Sequence, residues 1–183
     1  YLVEDKSIDW SKVCAFHMDE YIGLPEGAPQ AFGNFLKDHI FGLVPMKKVN
    51  YIDSTATDVN AECERYTKIL AENPTDIVVM GIGENGHIAF NEPGTPFGSV
   101  THVVDLQEST IKDNARLFND ISEVPRQAFT MGLKNIMNAK KILILASGAN
   151  KAKAVYGMIH GEVTESLPAS VLQLHPDCTL IID

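Results

Sequence analysis

Long apolar runs are missing from this sequence: nowhere do about 18 apolar residues follow one another, so no membrane-spanning helix is expected. No charged-then-apolar leader opens the chain, which speaks against a signal peptide. Cysteine is scarce. Cys14, Cys63 and Cys178 are odd in number, far apart and free of CxxC spacing, which argues against a disulfide framework and a structural metal site and for a reducing, cytoplasmic compartment. Runs of Lys or Arg are missing too, and the formal net charge is -9, so the chain offers no basic face to a nucleic-acid backbone. The same acidic balance means that an anionic ligand has to be captured locally, by a few cations or helix N-termini working against the overall field. Internal repeats, low-complexity tracts and interdomain linkers are absent as well.

What is present reads as one folded unit. With 183 residues, 45% hydrophobic and 21% charged, the chain can bury a sizeable core. Short apolar runs at Val13–Met18, Val49–Ile52, Ile77–Met80, Val100–Val104, Ala128–Met131, Lys141–Ala146 and Cys178–Ile182 suggest strands. Gln107–Phe118 is a polar stretch with Arg116 inside, while Gln30–Leu43, Leu133–Asn138 and the stretch leading to His160 suggest helices. Thr57–Glu72 is the clearest amphipathic one, starting at Thr57 or Asp58 and stopped by Pro74. Strands alternating with helices across short loops predict an α/β fold: a single domain over 1–183, with a mostly parallel, doubly wound, Rossmann-like sheet and helices on both faces.

The most informative stretch is DIVVMGIGENGHIAFNEP, Asp76–Pro93. Ile77–Met80 reads as a strand buried on both faces, and the glycines that follow turn the chain sharply off its carboxyl end, where open α/β sheets bind ligands. Glu84, Asn85, His87 and Glu92 are thereby offered to a ligand. An imidazole there can exchange protons near neutrality, with a carboxylate or amide orienting it; equally, it can satisfy a structural turn. Asp19, after Val13–Met18, is either a base at a strand end or the cap of a turn. Lys151, in the SGANK turn before a helix, either meets an anion or belongs to an ordinary β–α turn.

The segments HMDEYIGLP, MGIGENGHIAFNEPG, ARLF, AFTMG and ASGANKA occur in this order, and together they resemble the glucosamine/galactosamine-6-phosphate isomerase family from about Val13 onward. The resemblance implies conversion of glucosamine 6-phosphate and water to fructose 6-phosphate and ammonia, a hydrolase-type cleavage of a C–N bond in amino-sugar and N-acetylglucosamine catabolism, with no cofactor and no metal. It implies that Asp19 removes the C2 proton, that His87 opens the pyranose ring supported by Glu92 and by Asn85, and that Arg116 and Lys151 hold the phosphate. The partner implied is a small amino-sugar phosphate, with no nucleic acid and no membrane, and a homo-oligomer is compatible with it. Asn85 stands where other members carry Asp, which predicts a lower histidine pKa here. Thr101–Val104 lacks the basic residues of members activated by an N-acetylated amino sugar, so no such activation is expected. The family pattern also predicts a strand–loop–helix with a phosphate loop upstream, which Tyr1–Lys12 does not supply. A 6-phosphogluconolactonase-like hydrolase and a non-catalytic sugar-phosphate sensor are the alternatives.

Overall fold

The computed structural model describes residues 1–183. Its eight strands are β1 (Cys14–Phe16), β2 (Asp19–Tyr21), β3 (Lys48–Asn50), β4 (Ile77–Met80), β5 (His102–Asp105), β6 (Gln127–Thr130), β7 (Lys141–Ala146) and β8 (Cys178–Ile182). They form a parallel sheet in the order β4-β7-β8, a parallel pair β1-β3, and an antiparallel sheet β2-β6-β5. The helices are α1 (Phe32–Leu36), α2 (Val59–Glu72), α3 (Glu108–Asn114), α4 (Leu133–Met137) and α5 (Ala152–His160). The α/β class and the mostly parallel pairing agree with the sequence reading.

The parallel sheet alternates sharply. Val78, Met80, Ile142 and Ile144 face the main core with Tyr66 and Leu70 of α2, Ile136 of α4 and Met158 of α5. The opposite face departs from the expectation of a strand covered on both sides: Ile77 and Val79 are each 50% exposed, with Leu145 at 47% and Ile181 at 54%. A four-residue apolar run shows that a strand can be covered, and tertiary packing decides which faces are.

Val13–Met18 does not continue as one strand into Asp19. The chain leaves β1, and at β2 it crosses to the antiparallel sheet, where Asp19 pairs with Thr130 and the Met18 carbonyl accepts from Met131 N–H at 2.8 Å. Asp19 therefore opens a second strand. Tyr66 pins the crossing point, its hydroxyl donating to the carbonyls of His17 at 2.6 Å and Asn50 at 3.0 Å.

The helix expected over Gln30–Leu43 is shorter. After α1 the chain widens into a π-turn over Lys37–Phe41. No local side chain caps α1. Glu20 does so from twelve residues upstream, its carboxylate accepting from Phe32 N–H at 3.1 Å and Gly33 N–H at 2.8 Å. Helix α2 begins as predicted, with Asp58 accepting from Asn60 N–H and Ala61 N–H at 3.1 and 3.0 Å. A second, aromatic core gathers Tyr21, Phe90 and Ile111, with Phe32 and Phe118 packed against it.

Candidate active site

The loop that leaves β4 is held by its own backbone and by β6. Gly83 N–H donates to the His87 carbonyl at 2.9 Å, and the imidazole of His87 lies over Gly83 so closely that a methyl group there would overlap the ring. Gly86 has φ +84°, a conformation open to glycine and costly for other residues. Ala89 adopts φ 51° without being glycine, a strained backbone that persists because its surroundings over-determine it. Those surroundings are β6: Phe90 N–H donates to Thr130 Oγ1 at 3.1 Å, and Asn91 Nδ2 donates to the Met131 carbonyl at 2.8 Å. Thr130 is also the ladder partner of Asp19. The end of β6 is therefore the clamp that brings the His87 loop and the Asp19 strand to one place.

That place is a cavity of about 490 Å³ lined by Asp19, His87, Arg116 and Lys151, with Phe32, Phe90 and Ala89 among its apolar walls. The volume suits a small ligand such as a phosphorylated hexose. Of the six predicted site residues, these four reach the cavity. Asn85 and Glu92 stand behind His87.

Their hydrogen bonds determine the state of the imidazole. Glu92, only 4% exposed, accepts from Asn85 Nδ2 at 2.8 Å. Asn85 Oδ1 then faces His87, accepting from its backbone N–H at 3.1 Å and meeting Nδ1 at 2.7 Å. A backbone N–H can only donate, so the amide has one orientation, and an acceptor at Nδ1 requires the proton there. Neutral His87 thus carries hydrogen on Nδ1 and leaves Nε2 as a bare base. Burial depresses its pKa; Glu92 and Asp113 act to raise it, and Lys151 acts with burial.

Asp19 is tuned in the opposite sense. Its carboxyl is pushed up to about 7, first by burial and then by the charge of neighbouring Glu20. An acid titrating there can take up and return a proton near neutrality. Arg116 sits in the helical turn Ala115–Leu117 that follows α3, its Nε donating to the Asp113 carbonyl at 3.2 Å. Lys151 stands at the start of α5. The Gly-containing turn before it is not a free anion cradle: Gly148 N–H and Ser147 Oγ both donate to Asp183, at 2.9 and 2.7 Å. Lys151 alone carries the cationic contribution of that turn to the cavity. Glu84 bonds Asn150 and stays out of the cavity lining.

Sequence reasoning overlooked Thr110, whose buried hydroxyl donates to Glu92, and Asp113 at the cavity wall. Nothing local in the polar stretch around them marks either. No three His, Cys, Asp or Glu side chains converge as metal ligands, and no helix is long and apolar enough to cross a membrane.

An α/β scaffold that presents a carboxyl group and an oriented imidazole to one cavity, with two cations beside them, has the makeup of an enzyme that moves protons on an anionic substrate. The comparisons with known proteins narrow that class. Residues 1–181 match the model of the glucosamine-6-phosphate isomerases/6-phosphogluconolactonase family, and the chain belongs to that family. A glucosamine-6-phosphate deaminase of Lactobacillus delbrueckii subsp. bulgaricus is 54% identical over 176 residues, 96% of this chain and 75% of the relative. One of Streptococcus sanguinis is 48% identical over 181 residues, 99% of this chain and 77% of the relative. A solved monomeric glucosamine-6-phosphate deaminase superposes with a TM-score of 0.89 at 43% identity, covering 92% of this chain and 71% of that one. A 6-phosphogluconolactonase from Thermotoga maritima, at 19% identity and TM-score 0.76, shares the fold.

Proposed function

We propose that this protein converts glucosamine 6-phosphate and water to fructose 6-phosphate and ammonia. The observation that carries the reading is the convergence of Asp19 and His87 on one cavity with Arg116 and Lys151; the names and identities of the relatives support it. Arg116 and Lys151 hold the phosphate, and this remote grip fixes C1 and C2 against the reacting groups. His87 Nε2 takes the proton of the anomeric hydroxyl and returns one to the ring oxygen, which opens the pyranose. The Asp19 carboxylate then takes the proton from C2 of the open aldose while the C2 ammonium gives a proton to O1, and Asp19 delivers its proton to C1 of the resulting enolamine. The C2 imine so formed adds water and releases ammonia, leaving the ketone. The net change is a hydrolysis of a C–N bond, reached by the proton traffic of an aldose–ketose isomerase.

Glu92 and Asn85 act behind His87, fixing its tautomer. Burial lowers the imidazole's pKa first and Lys151 adds to it; a phosphate held by Lys151 offsets that second contribution. The test is release of ammonia from glucosamine 6-phosphate, with solvent deuterium appearing at C1 of the fructose 6-phosphate. Absence of ammonia alongside turnover of 6-phosphogluconolactone would overturn the reading in favour of the lactonase. Absence of both, with binding retained, would favour a sensor.

A further inference from the structure

Thr110 lies on α3, is 1% exposed, and belongs to neither the His87 loop nor the Asp19 strand. Its hydroxyl donates to Glu92 Oε1 at 2.5 Å, and the backbone N–H of Gln107, which precedes α3, approaches the same oxygen at 3.3 Å. Glu92 Oε1 is therefore committed to α3. Only Oε2 is left for Asn85, and Asn85 in turn can offer only its carbonyl oxygen to His87.

We propose that Thr110 is a positioning residue for the acid/base histidine, acting through Glu92 and Asn85 to hold His87 as the Nδ1–H tautomer with Nε2 toward the cavity. The role this gives His87 rests on the proposed deamination. The tautomer itself does not.

The chemistry is one of saturation. A carboxylate has several acceptor positions, and one held by a single donor can swing about that bond. The Thr110 hydroxyl and the Gln107 N–H just before α3, both on Oε1, hold the Glu92 carboxylate in place, and the held carboxylate aims Oε2 at Asn85. Without the Thr110 hydroxyl, Oε1 keeps only the long contact from Gln107 N–H and competes with Oε2 for the Asn85 amide. A mobile Glu92 grips Asn85 Nδ2 less firmly, so the Asn85 side chain leaves the His87 N–H and Nδ1 part of the time. The imidazole then has no acceptor at Nδ1, and Nε2 spends part of its time protonated. The arrangement also places the orientation of His87 on the element that continues into Arg116, so one helix serves both the phosphate end and the acid/base end of the cavity.

The experiment is 15N NMR of histidine-labelled protein above the imidazole pKa, for wild type, Thr110→Val and Thr110→Ser, each assayed for turnover. Val keeps the shape and removes the hydroxyl; Ser keeps the hydroxyl. Wild type is expected to show His87 with Nδ1 protonated and Nε2 bare, Thr110→Val a mixture of both tautomers, and Thr110→Ser the wild-type pattern. Turnover of Thr110→Val should fall in kcat by roughly two- to tenfold, in step with the fraction of His87 found as the Nε2–H tautomer, with KM within about twofold, and Ser should restore most of it. A wild-type spectrum with Nε2 protonated overturns the proposal without any variant, as does a Thr110→Val spectrum identical to wild type. A protein with no deaminase activity but the expected tautomers would remove the proposed function and leave the positioning role standing.

Discussion

The two acid/base groups of the cavity are built in contrasting ways. His87 is surrounded by partners: a glycine whose backbone supports its ring, an amide that fixes its proton, and a buried carboxylate tied to α3 behind that amide. Asp19 is governed only by burial and by the charge of Glu20. In the proposed reaction, orientation is what ring opening demands, because the imidazole must meet the ring oxygen and the anomeric hydroxyl in turn. Basicity is what C2 demands, because a carboxylate with an ordinary pKa is a weak base toward carbon. One group is positioned by hydrogen bonds, and the other is energised by the lack of them.

Asp19→Asn breaks the comparison most severely. It should lower turnover by at least about a thousandfold, measured as ammonia release, while binding of glucosamine 6-phosphate stays detectable by calorimetry. Near-normal turnover would remove Asp19 from the chemistry. Gly83→Ala attacks the His87 side through position alone: the added methyl overlaps the ring, and turnover should fall by roughly a hundredfold with the fold retained by circular dichroism. Unchanged kinetics would mean the loop is not the rigid support described.

Asn85→Asp sharpens the contrast more gently. It faces Glu92 with a second carboxylate where an amide now donates at 2.8 Å, and the added negative charge favours imidazolium. The acidic limb of the kcat/KM profile should move to higher pH; an unchanged limb would count against Asn85 setting the basicity of His87.

The smallest effect is on stability. The folded-state pKa of Asp19 is raised from 3.8 to about 7, so the folded chain binds that proton more tightly than the unfolded chain. The associated stability is full below pH 3.8 and is lost as pH climbs through about 7. Asn at this position avoids the cost of charging, so thermal melts should show Asp19→Asn stabilised by roughly 1–3 kcal/mol at pH 8 and unchanged near pH 4. Equal stability at pH 8 would place Asp19 in a wetter setting.

The contrast also explains what could be read from the residues in order. The His87 loop is local: a strand, its glycines, an imidazole and an acid lie within one stretch, and the bounds of β4, β7 and β8 followed from apolar runs. Asp19 was identifiable by resemblance, but its setting was not, because the break between β1 and β2 depends on pairing with β6 more than a hundred residues later. The same holds for Glu20 capping α1 and for Thr110 on Glu92. Each is a contact between distant segments that no periodicity records. Asp183 occupying the turn before Lys151 belongs with them.

The division of labour between the two groups is most directly tested by following glucosamine 6-phosphate in D2O by NMR with Asp19→Asn and His87→Asn. The account predicts that Asp19→Asn still speeds interconversion of the sugar's anomers but incorporates no deuterium at C1, and that His87→Asn loses the anomer interconversion. Wild-type deuterium incorporation by Asp19→Asn, or equal loss of both processes in both variants, would contradict it.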